Sequence, residues 1–217
     1  MGKQTAGILG AFTGKVGNIV GSKWKNTDTI RKLVKPSNPN TAGQQSQRGK
    51  FLICQKTASA LLETVVKPYW NQLVSSESGY NTFISRNTKR VSNNTDFSNL
   101  LTGSGSYEPL SSFISAVYTT GTGNLVFSWN PDVITVGQNT DRVIAVVIDA
   151  TNWDPATGQQ ILLPYVSATE TRVDETVTID VGVGKLVANL HCYLFAITPA
   201  GEVLKVSNSL YKLAETP

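Results

Sequence analysis

The sequence is poor in the side chains that do chemistry. Its 217 residues include one histidine, His191, two cysteines, Cys54 and Cys192, and one methionine. A structural zinc site draws on Cys and His, so none can be built from these alone, and a catalytic metal site would have to lean on carboxylates. Two cysteines also exclude the disulfide framework of a small secreted domain. Charged residues are only 16% of the chain, against about a quarter in ordinary globular domains, so Ser, Thr, Asn, Gln and Gly must carry the surface. No apolar run approaches the roughly 20 residues of a membrane span. The first six residues, Met1-Gly2-Lys3-Gln4-Thr5-Ala6, lack the apolar stretch of a secretory signal, and Ala6 stands where myristoylation needs Ser or Thr. The expectation is a chain made in the cytoplasm.

What is present is enough to fold. Hydrophobic residues make up 40% and the net charge is only +4, a combination that opposes disorder. That charge is unevenly spread. Residues 1–50 hold nine Lys/Arg and the single acid Asp28, for +8; residues 51–100 add +2; residues 101–217 carry −6. Asymmetry of this kind points to a polyanionic or acidic partner. The acidic half of a neighbouring copy is one such partner, and head-to-tail contacts make rings or filaments. A basic solvated face without a partner accounts for the same split.

Residues 1–35 are punctuated by glycine, and a β-hairpin is expected from strands at 16–25 and 29–35, with basic residues on its polar face. Such a segment needs a neighbour, either the following helices or another subunit. Pro36 to Thr41 breaks the pattern, and Asn40 or Thr41 can cap a helix starting near Ala42. Phe51, Cys54, Ala58, Leu61, Leu62 and Val65 recur at helical spacing, and Pro68 ends or kinks that helix. A second amphipathic helix is expected over 80–91, with Tyr80, Phe83, Ile84 and Val91 inward. Residues 93–108, rich in Ser, Asn, Gly and Thr, read as a linker. From Pro109 the period becomes two, with strands at 112–118, 124–129, 142–149, 160–166, 171–180, 186–197 and 203–210. The expected organisation is therefore α+β. A basic hairpin-plus-helices domain spans 1–92, and a seven-stranded antiparallel β-sandwich spans 109–217.

Few motifs propose chemistry. Gly10-Ala11-Phe12-Thr13-Gly14-Lys15 is one residue short of a phosphate loop, and Val16 stands where Ser or Thr belongs. Lys15, Lys23, Lys25, Arg31, Lys32 and Lys35 with Trp24 have the composition to hold nucleic acid, lysine on phosphate and the indole on bases. They equally make a hairpin with a basic face and Trp24 in a core. Asn40, Thr41, Gln44, Gln45, Gln47 and Arg48 cluster at a helix start, where they can contact a neighbouring strand, of the same chain or the next, or serve as a cap and a solvated face. Asp149, Asn152 and Asp154 share one loop but lack the glycine and distal glutamate of a calcium loop, so an Asx-turn is the expectation. His191 and Cys192 alternate to opposite faces of a strand and cannot form a nucleophile–base pair. No local pattern proposes paired carboxylates. No catalytic residue, metal ligand or cofactor is expected.

Two resemblances add to this. Leu125-Val126-Phe127-Ser128-Trp129 and Cys192-Tyr193-Leu194-Phe195-Ala196-Ile197 with the turn after them resemble the second and sixth strands of a fibronectin-III or immunoglobulin-like sandwich. The resemblance implies a core tryptophan at Trp129 and a corner tyrosine at Tyr193. Gly14 to Lys25, followed by Asn38-Pro39-Asn40-Thr41-Ala42-Gly43-Gln44-Gln45-Ser46-Gln47-Arg48, resembles an uncharacterised bacterial family. That family has a glycine-rich hairpin and an Asn-Pro-x-Thr-x-x-Gln-x-x-x-Arg helix start, and is similar in places to phage structural proteins. It implies a class of protein without a catalytic site. The expectation is a non-enzymatic subunit that assembles with copies of itself, or with other structural subunits, into a virion component or a surface filament, without a membrane span. The basic residues named above with Gln44, Gln47 and Arg48 would make the contacts between subunits. One alternative is an extracellular carbohydrate- or protein-binding module using Trp153 and Tyr165. A nucleic-acid-associated protein is the other.

Overall fold

The computed structural model describes residues 3–4, 11–25, 27–35, 37–133, 135–156 and 162–217. The fold is α+β, with mostly antiparallel sheets. It divides into two compact units, Met1–Thr41 and Ala42–Pro217.

The first unit is an antiparallel sheet in the order β1-β2-β3-β4, with β1 Lys3–Gln4, β2 Phe12–Val16, β3 Ile19–Trp24 and β4 Thr27–Lys32. The expected single hairpin is two. Val16 pairs with Ile19 across a two-residue turn that Gly17 opens at φ 56°, the position where a glycine-first hairpin turn needs positive φ. Trp24 pairs with Thr27, and Lys25 takes φ 52° in the second turn. That turn comes earlier than expected and leaves the β-branched Thr27 and Thr29 inside β4. Gly21 lies beneath Phe12, whose carbonyl oxygen and ring occupy the space a Cβ would need.

The second unit has a helical layer and two sheets. Helix α1 is Ala42–Ala60, and the chain then winds through a π-helical segment, Leu62–Trp70, and a short 3-10 turn, Asn71–Leu73. Pro68 does not end the helical path. The wider turn, marked by Val66 N–H donating to the Leu61 carbonyl at 2.9 Å, does not aim the carbonyl four residues back at the proline ring, as an α-helix would. Helix α2 is Gly79–Thr88, capped by the Ser78 hydroxyl, which accepts from Asn81 N–H at 3.2 Å. One sheet has the order β11-β10-β7-β8, from β7 Arg142–Asp149, β8 Leu163–Ser167, β10 Leu190–Ile197 and β11 Leu210–Leu213. The other has the order β5-β6-β9, from β5 Phe113–Thr119, β6 Asn124–Trp129 and β9 Thr176–Asp180.

Two cores share the four-stranded sheet. Ile144, Val146, Ile148, Tyr193 and Phe195 join Ile53, Leu61, Val65, Trp70 and Phe83 of the helical layer. Val143, Ala145, Val147, Cys192 and Leu194 join Tyr118, Phe127, Trp129 and Val177 of the three-stranded sheet. Strands β7 and β10 are thus covered on both faces.

The expected division at 93–108 is not where the chain separates. Phe97 and Leu100 are buried in the helix-side core. The Thr102 N–H donates to the Ser209 hydroxyl (3.0 Å) and the Tyr107 N–H to the Val206 carbonyl (3.2 Å). Gly103 leaves room only for the Phe195 side chain. The segment is a strap laid along residues 206–209. Those residues make isolated bridges, Val206 with Ile197 and Ser207 with Tyr107, so the strand expected at 203–210 begins only at Leu210. Residues 160–161 of the expected 160–166 strand lie outside the described residues. Strand β9 starts later than expected because Arg172–Asp174 coils as a 3-10 turn. The helical stripe is also rotated: Ile53 is buried and Phe51 is 49% exposed. The C-terminal tail closes one side, with Glu215 N–H on the Ala116 carbonyl (2.7 Å) and Tyr118 N–H on the Glu215 carbonyl (2.8 Å).

Candidate functional site

Two surfaces gather the expected contact residues. The first is the N-terminal sheet. Its register puts Val16, Ile19 and Ile30 on one face with Lys23, Asp28 and Lys32, and Lys15, Val20, Trp24 and Arg31 on the other. Lys25 sits in a turn and Lys35 beyond β4. Every residue of β4 is exposed. Trp24 is 72% exposed and Ile30 63%, so the reading that placed Trp24 in a core does not hold. Among the described residues the unit has a two-sided surface and little interior.

The second surface lies on α1, whose first two turns are exposed. Gln44, Gln47, Arg48, Phe51 and Gln55 line a groove of about 480 Å³ that reaches Thr88 of α2. Phe51 also borders a hollow of about 410 Å³ with Ile84 and Lys89. The structure therefore brings Gln44, Gln47 and Arg48 together around a half-exposed aromatic ring.

The aromatic pair expected to meet a ligand does not converge. The Trp153 indole N–H donates to the Asn94 carbonyl at 2.9 Å, its ring stands edge-on to Phe97, and it packs against the helix-side core. Tyr165 packs against the other core. In the 149–154 loop, the Asp149 carboxylate accepts from Thr151 N–H (2.9 Å) and pairs with the Lys185 ammonium (2.7 Å). Burial alone would raise this carboxyl, but the hydrogen bonds from Lys185 and Thr151 outweigh it and hold it below its ordinary value. Asp154 accepts from Ala156 N–H (2.8 Å), the second Asx-turn of the loop. Among the described residues no three His, Cys, Asp or Glu gather as a metal site.

His191 and Cys192 do face opposite cores. The His191 ring stacks on Phe97 at 4.3 Å, its Nδ1 lies 3.0 Å from the Tyr211 hydroxyl, and burial lowers its pKa to about 4. Burial raises the thiols of Cys54 and Cys192, so neither is a ready thiolate. Tyr193 donates its hydroxyl to the Phe97 carbonyl at 2.7 Å, fastening the strap where a corner tyrosine would bond nearby in its own sheet.

Sequence reasoning missed a buried polar cluster. Arg172 and Asp141 are fully buried and 3.0 Å apart. Asp141 also accepts the Tyr107 hydroxyl (2.7 Å) and Gln138 N–H (2.9 Å), while Arg172 donates to the carbonyls of Glu108 and Pro109 (both 3.2 Å). One Glu108 oxygen accepts from the N–H groups of Thr135, Val136 and Gly137. More than 30 residues separate the partners in pairs such as Arg172 and Asp141, and no local spacing marks them. The cluster rivets the strap to the sheets.

A family model described as a family of unknown function (DUF6266) matches residues 11–212. No curated protein and no solved structure matches the chain. Among the described residues no helix is long and apolar enough to cross a membrane.

Proposed function

The chain belongs to the DUF6266 family, a membership that names no activity, and on physical grounds we propose that it is a non-enzymatic structural subunit that assembles with copies of itself. The particle or filament would be a virion component or a bacterial surface assembly. The observation that carries this is the N-terminal sheet: a unit of 41 residues with β4 wholly exposed and Ile30 and Trp24 open to solvent. Below about 40 residues a chain usually needs disulfides, metals or oligomerisation to hold its fold. Both cysteines are buried in the other unit and among the described residues no metal cluster forms, so a sheet of this size needs another surface to pack on, and we assign that surface to a neighbouring copy. The exposed ribbon and the Phe51 groove would supply contacts, with Gln44, Gln47 and Arg48 at the rim. We read the seven strands among the described residues of 113–213 as an immunoglobulin or fibronectin-III-like sandwich. The buried Trp129 between two sheets of four and three strands supports this, and its loops would face outward.

Sedimentation of the full chain and of residues 42–217 tests the reading. The full chain grows with concentration, while the shorter chain stays folded and single. A full chain that stays a 23.4 kDa particle at every concentration overturns it. One observation favours a second reading, nucleic-acid association: Trp24 shares a ribbon face with Lys15 and Arg31. A gel shift that weakens with salt and is lost in Trp24→Ala would establish it.

A further inference from the structure

We infer that two copies join edge to edge along β4, antiparallel and centred on Ile30, so that their four-stranded sheets run on as one. The inference rests on the self-assembly reading and gives the exposed ribbon a second copy as its partner. Three features of β4 agree.

The first is the direction of its backbone groups. Among the described residues β4 ends its sheet and pairs only with β3. Val16 and Ile19 close a two-residue hairpin, so Ile19 turns its N–H and C=O toward β2. The direction alternates along a strand, and the Leu33 N–H accordingly donates to the Asn18 carbonyl at 2.7 Å. With Ile19 opposite Lys32 and Gly21 opposite Ile30, the backbone groups of Thr27, Thr29 and Arg31 turn to β3. Those of Asp28, Ile30 and Lys32 point to the open edge. An open edge is a template for another strand.

The second is that this edge complements itself. Asp28 and Lys32 flank Ile30 at equal spacing. When a second β4 is laid alongside in reverse, the outward residues meet as Ile30 with Ile30, Asp28 with Lys32 and Lys32 with Asp28, each a hydrogen-bonded pair. Between them Thr29 meets Arg31. Opposite charges face each other at both ends and like charges nowhere, the arrangement that favours an antiparallel pair. Edge charges ordinarily keep foreign strands away; here their signs admit a strand of the same sequence. A shift of one residue breaks the ladder, because outward groups would meet inward ones. A shift of two sets Asp28 beside Ile30, or Arg31 against Arg31.

The third is the apolar residue at the centre. Ile30 is 63% exposed in the single chain and lies opposite Gly21, over which the Phe12 ring lies. In the pair the two Ile30 side chains stand side by side on one face and cover each other. The unit Met1–Thr41 carries seven Lys/Arg against Asp28 alone, a net of +6, so two ribbons repel at a distance. Screening over about 8 Å at physiological salt leaves the contact to the edge residues, where the one acid of each copy sits. The contact is two-fold and closes at two copies. Growth past the pair falls to the other exposed surface, around Phe51.

Charge exchange tests the pairing, read by sedimentation at physiological salt. Asp28→Lys and Lys32→Asp, each alone, set like charges opposite one another at both ends of the pair. Each is expected to lose the contact, with the weight-average mass at least halved relative to the unsubstituted chain. An equal mixture of the two variants restores opposite charges at both ends and is expected to regain the mass. Both variant ribbons stay net positive, so attraction at a distance does not explain recovery. Asp28→Lys also sets a second lysine opposite Lys23, a cost the mixture keeps, so recovery belongs to the contact between copies. Single variants that assemble like the unsubstituted chain, or losses that the mixture does not repair, overturn this inference and leave the self-assembly reading standing. An unsubstituted chain that never assembles overturns both.

Discussion

Arg172 places a full positive charge where its side chain has no access to water, and Asp141 with two carbonyls is what makes that tolerable. Removing one partner of a buried ion pair leaves the other uncompensated, which costs about 3–5 kcal/mol. Arg172→Met is expected to lower the stability of the second unit by that much, read as a fall in the urea midpoint. His191 makes a pH-dependent contribution of known sign. Folded, its pKa is about 4, and the ordinary value is 6.5, so the unfolded chain takes up the proton first as pH falls. Stability is full above pH 6.5, is lost progressively below it, and levels off near pH 4, a loss of about 3 kcal/mol. In His191→Gln the urea midpoint should stay nearly flat over that window, while the carboxylate-linked loss through Asp149 at lower pH remains. At this scale the sequence was legible where the partners are local, as in the Asx-turn at Asp149. The core position of Trp129 was legible too, through the resemblance. It was silent on Arg172, Asp141 and Glu108, because their proximity is made by the fold and by no spacing.

The helical layer and the strap show why the sequence reading divided the chain in the wrong place. Alternation identifies strands with one wet face, and β6 and β9 obey it. Strands β7 and β10 do not alternate: Val143-Ile144-Ala145-Val146-Val147-Ile148 and Cys192-Tyr193-Leu194-Phe195-Ala196-Ile197 are continuous apolar runs. A run of that kind needs cover on both faces, and the helices are the second cover. The signal was in the sequence, but a two-sheet expectation has no place for a third layer. Composition misled at 93–108, where Ser, Gly and Asn serve close packing under Phe195 and turns at Asn93 and Asp96. Limited proteolysis should therefore leave 93–108 intact and cut before Ala42, and mass spectrometry of the resistant fragment locates the cut. A first cut inside 93–108 would contradict the strap.

For the molecule as a whole, the charge asymmetry survives with a different boundary. Divided at the units of the fold, Met1–Thr41 carries +6 and Ala42–Pro217 carries −2, so the basic character belongs to the ribbon more than to the helices. Charges at exposed contacts are screened as the Debye length falls from about 10 Å at 0.1 M salt to about 3 Å at 1 M. The proposed assembly should accordingly shrink over that range by light scattering, while circular dichroism of the second unit stays unchanged. The two-faced strands β7 and β10 carry one more consequence. A sheet greasy on both sides cannot be handed from one gene to another without its helices, since a recombinant lacking them would arrive with an open apolar surface, an aggregation liability. Helices, strap and sheets are bound to be inherited together, and the family match runs unbroken across all of them.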